Sequence, residues 1–214
     1  MHRFALLSLL VLSGCATYNA PVRSDVDVSR STAVEGGTMA VVIGSVVVED
    51  EGGLEAHVGA GQPNEVYRSH LAATLPAQIR SQSTIDDAFV GEPDDAPSLE
   101  FTTPAAGTTY TFDGRTPDWV LVMRKATLLR AQYQIGNGMP AMPGQPSTPQ
   151  GIQRAVRTDV EILLWDNRAG QLIATGEVES EETFTFSPSS GTYEAAVGEF
   201  VEKLIENTPM ERQR

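Results

Sequence analysis

The chain has 214 residues, with 28 acidic against 15 basic side chains and a formal net charge of −13. A surface this acidic excludes nucleic acid as a partner and adsorption to anionic lipid headgroups. One cysteine cannot make an internal disulfide or a cysteine-rich metal site, and the length suits one domain with a real hydrophobic core.

The first residues carry Arg3 and no acid, followed by an almost unbroken apolar run over 4–12 and then small side chains. That is the layout of a secretory signal, and the run is far shorter than the ~20 residues needed to cross a bilayer. It closes on Leu12-Ser13-Gly14-Cys15, which resembles the bacterial lipobox. The resemblance implies cleavage after residue 14, a diacylglyceryl group on the Cys15 thiol and acylation of the new amino terminus. Two or more acyl chains hold a protein on a membrane where one does not. Ala16 follows the cysteine instead of Asp; in the Gram-negative sorting pattern that this resembles, the implied destination is the outer membrane, and the periplasmic face is expected ahead of the cell surface, with both left open. The mature chain would hold 14 basic against 28 acidic residues and no free thiol.

Residues 15–37 have the polar, Pro- and Ser-containing composition of a tether, with a weak alternation at Val22, Val26 and Val28 that offers a short edge strand. Thr38–Val48 is β-branched and bounded by glycines and acids, which predicts a central strand buried on both faces. A Gly-rich loop follows over 54–63. Asn64 then stands as an N-cap with Glu65 beside the positive helix end. Tyr67, Leu71, Leu75 and Ile79 recur every four residues, widened by Val66 and Ala72, and predict an amphipathic helix to Gln82 bent at Pro76.

Residues 85–90 predict a second strand. The Pro- and Thr-rich stretch 91–117 is an insertion in which residues 99–102 and 109–112 would pair as a hairpin. Residues 118–135 predict the longest strand: Val120 and Val122 face one way, Trp119, Leu121 and Met123 the other, and Arg124, Lys125 and Arg130 carry the second half into solvent. A second Pro- and Gly-rich insertion, 136–151, contains Met139 and Met142 and reads as a hairpin tip. Residues 152–166 and 171–186 form the clearest hairpin. A three-residue loop, Arg168-Ala169-Gly170, would pair Asn167 with Gln171. Val160 then meets Val178, Ile162 meets Gly176 and Leu164 meets Ala174. Ser190, Gly191 and Thr192 introduce a last helix with Val197, Phe200, Val201, Leu204 and Ile205 on one side. Pro209 ends it, and the charged tail should fray.

The order predicts an α+β fold: an antiparallel or mixed sheet of four to five strands with two helices on one face. The single domain would span 38–207, with 208–214 as a loose tail. The lipobox and tether, the Val-rich first strand, the helix leading into Ile85 and Phe89-Val90, Asp118-Trp-Val-Leu-Val, and Leu164-Trp165-Asp166 with Gly170, Ile173 and Gly176 together resemble a group of envelope domains. These are the curli-secretion-channel lipoproteins, the lipoprotein activators of penicillin-binding proteins, and the amino-terminal domain of the Tol-system periplasmic protein. Both insertions depart from the alternating hairpin pattern of a channel former, and no partner-binding residue of those families has a counterpart here.

Catalytic chemistry finds little support. Gly59-Ala-Gly61-Gln-Pro-Asn64 lacks the third glycine and the preceding strand of a dinucleotide site. His57 and His70 are too few and too far apart for zinc. Ser69 and Ser83 sit in no nucleophile elbow. No cofactor is implied. On the predicted hairpin register Glu161 faces Glu177, Asp159 faces Glu179 and Arg157 meets Glu181. Like charges across a ladder repel. A solvated face screens them; the alternative is a docking surface for a basic partner or for Ca²⁺ or Mg²⁺ at Asp159, Glu161, Glu177 and Glu179.

The expectation is therefore a non-enzymatic lipoprotein, anchored to the membrane through Cys15, that binds another envelope protein as an accessory of an envelope assembly. A subunit of an outer-membrane secretion or transport complex and a periplasmic hydrolase are the alternatives.

Overall fold

A computed structural model describes residues 23–30, 32–49, 61–92, 94, 99, 102–135 and 151–213. Its strands are β1 (Asp25–Val28), β2 (Thr38–Val48), β3 (Asp87–Val90), β4 (Trp119–Ile135), β5 (Gly151–Asp166) and β6 (Gln171–Phe184). Helix α1 (Pro63–Gln82) joins β2 to β3, and α2 (Ser190–Asn207) follows β6. The strands make one mixed sheet in the order β1-β6-β5-β4-β2-β3. β2 runs parallel to both β3 and β4, and the remaining pairs are antiparallel. The fold class is α+β as the sequence predicts; the sheet has six strands instead of four to five.

Both helices lie on one face. The four-residue stripe Tyr67, Leu71, Leu75 and Ile79 of α1, with Val197, Phe200, Val201, Leu204 and Ile205 of α2, packs on Met39, Val41, Trp119, Leu121, Ile162 and Leu164. The alternate residues of the same strands, Ala40, Val42, Val120, Val122, Leu163 and Trp165, form a second core with Leu99 and Phe112. Leu99, Tyr110 and Phe112 of the 91–117 insertion therefore cover the other face of the sheet. The predicted hairpin within it does not form among the described residues: Phe112 bridges Arg115 instead. The second half of β4 also stays in the protein on the helix side, where Ala126 and Leu128 are buried.

Several local readings need correction. Pro63 takes the first helical position, where its missing N–H costs nothing, so Gln62 is the N-cap of α1. Asn64 instead accepts from the Val48 N–H at 2.9 Å, fastening the helix start to the end of β2. As predicted, the helix continues past Pro76 to Gln82. The β5–β6 register is as predicted for Val160–Val178, Ile162–Gly176 and Leu164–Ala174, but the turn is not. Asp166 pairs with Gln171 around a four-residue loop, and the register shifts by one between Leu164 and Trp165. Asp166 accepts from the Arg168 and Ala169 N–H groups at 3.0 and 2.9 Å, and Gly170 supplies the left-handed residue at φ 62°. The bulge leaves the Ile173 carbonyl to accept from Ser29 and Arg30 at the end of β1.

The folded unit is also longer than 38–207. From Arg23 onward the supposed tether belongs to it: β1 pairs with β6, and Val34 is fully buried. The tail is tied down as well. Met210 is buried and bridges Val34, while Arg212 bridges Ser83. The α2 start is a capping box in which Ser189 and Thr192 each accept from the other's backbone N–H, at 3.3 and 3.0 Å. The Cys15 lipobox, the loop from 54 to Ala60 with His57, and the 136–150 tip with Met139 and Met142 lie outside the described residues.

Gly176 is where β1 comes closest: a Cβ there would stand 2.1 Å from the Asp25 carbonyl oxygen. Gly176→Val should detach β1 while the core sheet persists. Hydrogen exchange would then show lost protection at residues 25–28 with β4 and β5 unchanged; full retention of β1 protection would refute the role assigned to that contact.

Candidate functional site

Alternation along β5 places Arg157, Asp159 and Glu161 on the face opposite to the helices, and β6 brings Glu177, Glu179 and Glu181 beside them. All three predicted rungs exist: Glu161 faces Glu177, Asp159 faces Glu179 and Arg157 faces Glu181. Their electrostatics differ from one rung to the next. The Arg157 side chain is completely buried and donates to Asp159 at 2.8 Å and to Glu179 at 2.7 Å, with those carboxylates only 17% and 15% exposed. One arginine, a rung away, thereby bridges the like-charged rung and offsets half of its charge. Glu179 also accepts from the Arg23 backbone N–H, and its own N–H donates to Ser24 at 3.3 Å. Asp159 and Glu179 are thus occupied in joining β5, β6 and the chain entering β1.

Glu161 and Glu177 form the other rung. Both are exposed, and β1 adds Asp25 opposite Glu177. On the far side Lys125 pairs across from Glu161, and Arg124 reaches its carboxylate at 3.6 Å. The row therefore alternates in sign at one end and is acidic at the other. Among the described residues no group of three or more His, Cys, Asp or Glu side chains is placed to hold a metal ion. The four predicted residues do not converge on one site. Two are internal ligands of an arginine, and two are surface charges.

The hydrolase candidates separate. Ser69 is exposed on α1. Ser83 is buried at the end of α1, donating to the Ile79 carbonyl at 2.7 Å and accepting from the Ile85 N–H at 3.3 Å. His70 stacks on Tyr67 with ring centroids 6.3 Å apart, and its Nε2 is buried without a partner. Tyr67 in turn meets the Thr158 hydroxyl at 3.3 Å. Burial pushes the Tyr67 phenol up to about 12 and the His70 imidazole below its ordinary value; a hydrogen bond to the Tyr193 backbone and the Glu194 charge oppose the latter. These groups sit between the helices and the sheet, where they specify packing.

Sequence reasoning missed a third cluster. Asn167 is fully buried in the β5–β6 turn. Its amide accepts from the Tyr110 N–H at 2.7 Å and donates to the Tyr110 and Pro117 carbonyls at 2.9 and 2.8 Å. Beside it Arg168 lies 4.1 Å above the Trp119 ring and near Asp118 and Asp166. Asn between a strand end and a turn carries no signal by itself; only the fold brings residue 110 to it.

No family model matches the chain, and no curated protein matches it. Among solved structures it is similar to a PelC dodecamer from Paraburkholderia phytofirmans, at 16% identity and TM-score 0.36, over 89% of this chain and 100% of that one. It is similar to the hypothetical protein CT253 from Chlamydia trachomatis at 10% identity and TM-score 0.38, over 78% and 96%. A putative neuraminyllactose-binding hemagglutinin homolog from Helicobacter pylori aligns at 6% identity and TM-score 0.32, over 79% of each chain. No residue role is taken from them.

Two outcomes follow from these environments. Arg157→Met strands two poorly solvated carboxylates and should cost about 3 kcal/mol in urea unfolding; a loss under about 1 kcal/mol, the range of a surface pair, would show the cluster to be solvated. For His70 the folded value lies below the ordinary 6.5, so near that pH the unfolded chain binds more protons. Its contribution is complete above 6.5 and is lost as pH falls through that value. His70→Gln should flatten the stability curve between pH 7.5 and about 5.5, the interval around an ordinary imidazole, and superimposable curves would exclude this.

Proposed function

We propose that the chain is a lipid-anchored bacterial envelope protein, modified at Cys15, whose α+β domain binds another envelope component without catalysing a reaction. The observation that carries the reading is the position of Cys15. It is the one cysteine in the chain, it closes the apolar leader in Leu-Ser-Gly-Cys, and Arg23, where the described fold begins, follows eight residues later. A lipid on that thiol would hold the domain directly against the membrane.

The reading as a binding component is supported by how the polar groups are used. The serines and histidine a hydrolase would need are spent on a helix end, exposed on a helix, or packed between layers. The outer-membrane destination rests on Ala16, and the partner is a protein of the same compartment. Of the predicted surface residues, Glu161 and Glu177 are the two a basic partner could reach.

Intact mass of the protein from detergent-solubilised membranes tests the anchor. The expected product begins at Cys15 and carries a diacylglyceryl group and an N-acyl chain, while Cys15→Ser leaves an uncleaved, unmodified precursor. A mature chain beginning elsewhere, with a free Cys15 thiol, would overturn the reading. The nature of the contact is read by crosslinking in native membranes: Glu161→Lys with Glu177→Lys should abolish a specific adduct if the exposed rung is the partner surface, and an unchanged adduct removes that rung from consideration.

A further inference from the structure

The direction of β1 fixes which end of the domain an anchor would bring to the bilayer. β1 is antiparallel to β6, with Val28 opposite Ala174 and Asp25 opposite Glu177. Moving toward the amino terminus, the Arg23 N–H reaches Glu179. At Arg23 the backbone thus points toward the end of the sheet where β6 finishes at Phe184. Arg23 stands only eight positions after Cys15, and fully extended those eight steps span no more than about 29 Å.

The far end of the sheet, the turn at 167–170, lies some nine residues down β6 from Glu179, or ~30 Å at the rise of a strand. Cys15 at full stretch barely reaches that turn. The near end is within easy range: Phe186 is seven residues beyond Glu179, or roughly 23 Å.

That near end carries the one strongly exposed aromatic among the described residues, Phe186, 87% exposed. Its loop is braced from β5, where Arg154 donates to the Thr185 and Phe186 carbonyls at 3.4 and 3.5 Å. Arg130 of β4 lies 5.9 Å above the Phe184 ring. An exposed apolar ring with two arginines nearby, Arg154 on its backbone carbonyl and Arg130 on the neighbouring Phe184 ring, matches the boundary between acyl chains and phosphates. Glu182 and Glu181 stand two and three rungs from Phe184, so a zwitterionic surface suits this end better than an anionic one.

We infer that the Phe184–Phe186 end of the sheet rests on the lipid surface, with the Phe186 ring at the headgroup boundary and the 167–170 turn pointing away from the membrane. The inference rests on the anchor proposed for Cys15 and adds the orientation of the domain. A second copy of the chain or a protein partner seated on Phe186 is the competing occupant, and the test separates it.

The full lipidated chain carrying Phe186→Trp is reconstituted into vesicles of phosphatidylethanolamine and phosphatidylcholine containing bromine-labelled acyl chains. A parallel sample carries Ala106→Trp, on the insertion residue next to Gly107, whose N–H donates to the Gly170 carbonyl at the opposite end. Trp119 and Trp165 are buried and serve as unquenched background. The expected result is a blue shift and strong quenching in the Phe186→Trp sample only. If Cys15 carries its lipid by mass and the indole introduced at position 186 stays unquenched, the orientation is wrong while the anchor stands. If Cys15 carries no lipid, the anchor reading fails and the orientation with it. Equal quenching in the two samples would also overturn the orientation.

Discussion

The parallel pair β2–β4 is the constraint on which the rest of the molecule depends. Met39, Val41, Trp119 and Leu121 point to one side, and Ala40, Val42, Val120 and Val122 to the other, all essentially inaccessible to water. A ribbon apolar on both sides has to be covered twice. Two helices serve one side. On the other the chain uses Leu99 and the irregular segment 102–112, whose Phe112 reaches the sheet while backbone groups around it are satisfied by Asn167, by Asp94 and by the turn at 112–115. Irregular backbone can cover a core only when its N–H and C=O groups find such partners, which makes the three hydrogen bonds of one buried amide worth more than their number suggests.

The parts of this architecture written in local periodicity are legible in the sequence. A stripe every four residues identifies α1, and the alternation of Val160, Ile162 and Leu164 sets the β5–β6 register. That register is correct although the turn is one residue longer than the sequence predicts, because a bulge between Leu164 and Trp165 restores the pairing. Burial of one face fixes register more firmly than loop length does. Long-range closure is not legible. Nothing in the composition of residues 23–37 or 208–213 distinguishes a tether or a frayed tail from segments that bridge each other through Val34 and Met210.

The acidic hairpin shows the same division at the level of side chains. Residues directly opposite follow from the register, so the rungs can be foreseen. Arg157, however, reaches diagonally to Glu179 as well as along its own strand to Asp159. A diagonal neighbour is within reach of a long side chain, and no pattern of letters specifies which carboxylate it takes. The result changes the meaning of the face: Asp159 and Glu179 are internal structure, and only Glu161 and Glu177 of the predicted four remain as a surface.

The bridges made by Pro209, Met210, Glu211 and Arg212 place the last part of the chain between its first part and the end of α1. The Val34 N–H donates to the Pro209 carbonyl and its carbonyl accepts from the Glu211 N–H, while the Thr84 N–H donates to the Glu211 carbonyl. A chain made amino end first has the six strands and two helices described above in hand before these contacts can close. The order of synthesis therefore separates a nearly complete sheet from a locked one. A carboxy-terminal stop a few residues early would leave Val34 and the α1 end unsealed, even though β1 to β6 and both described helices had already been made.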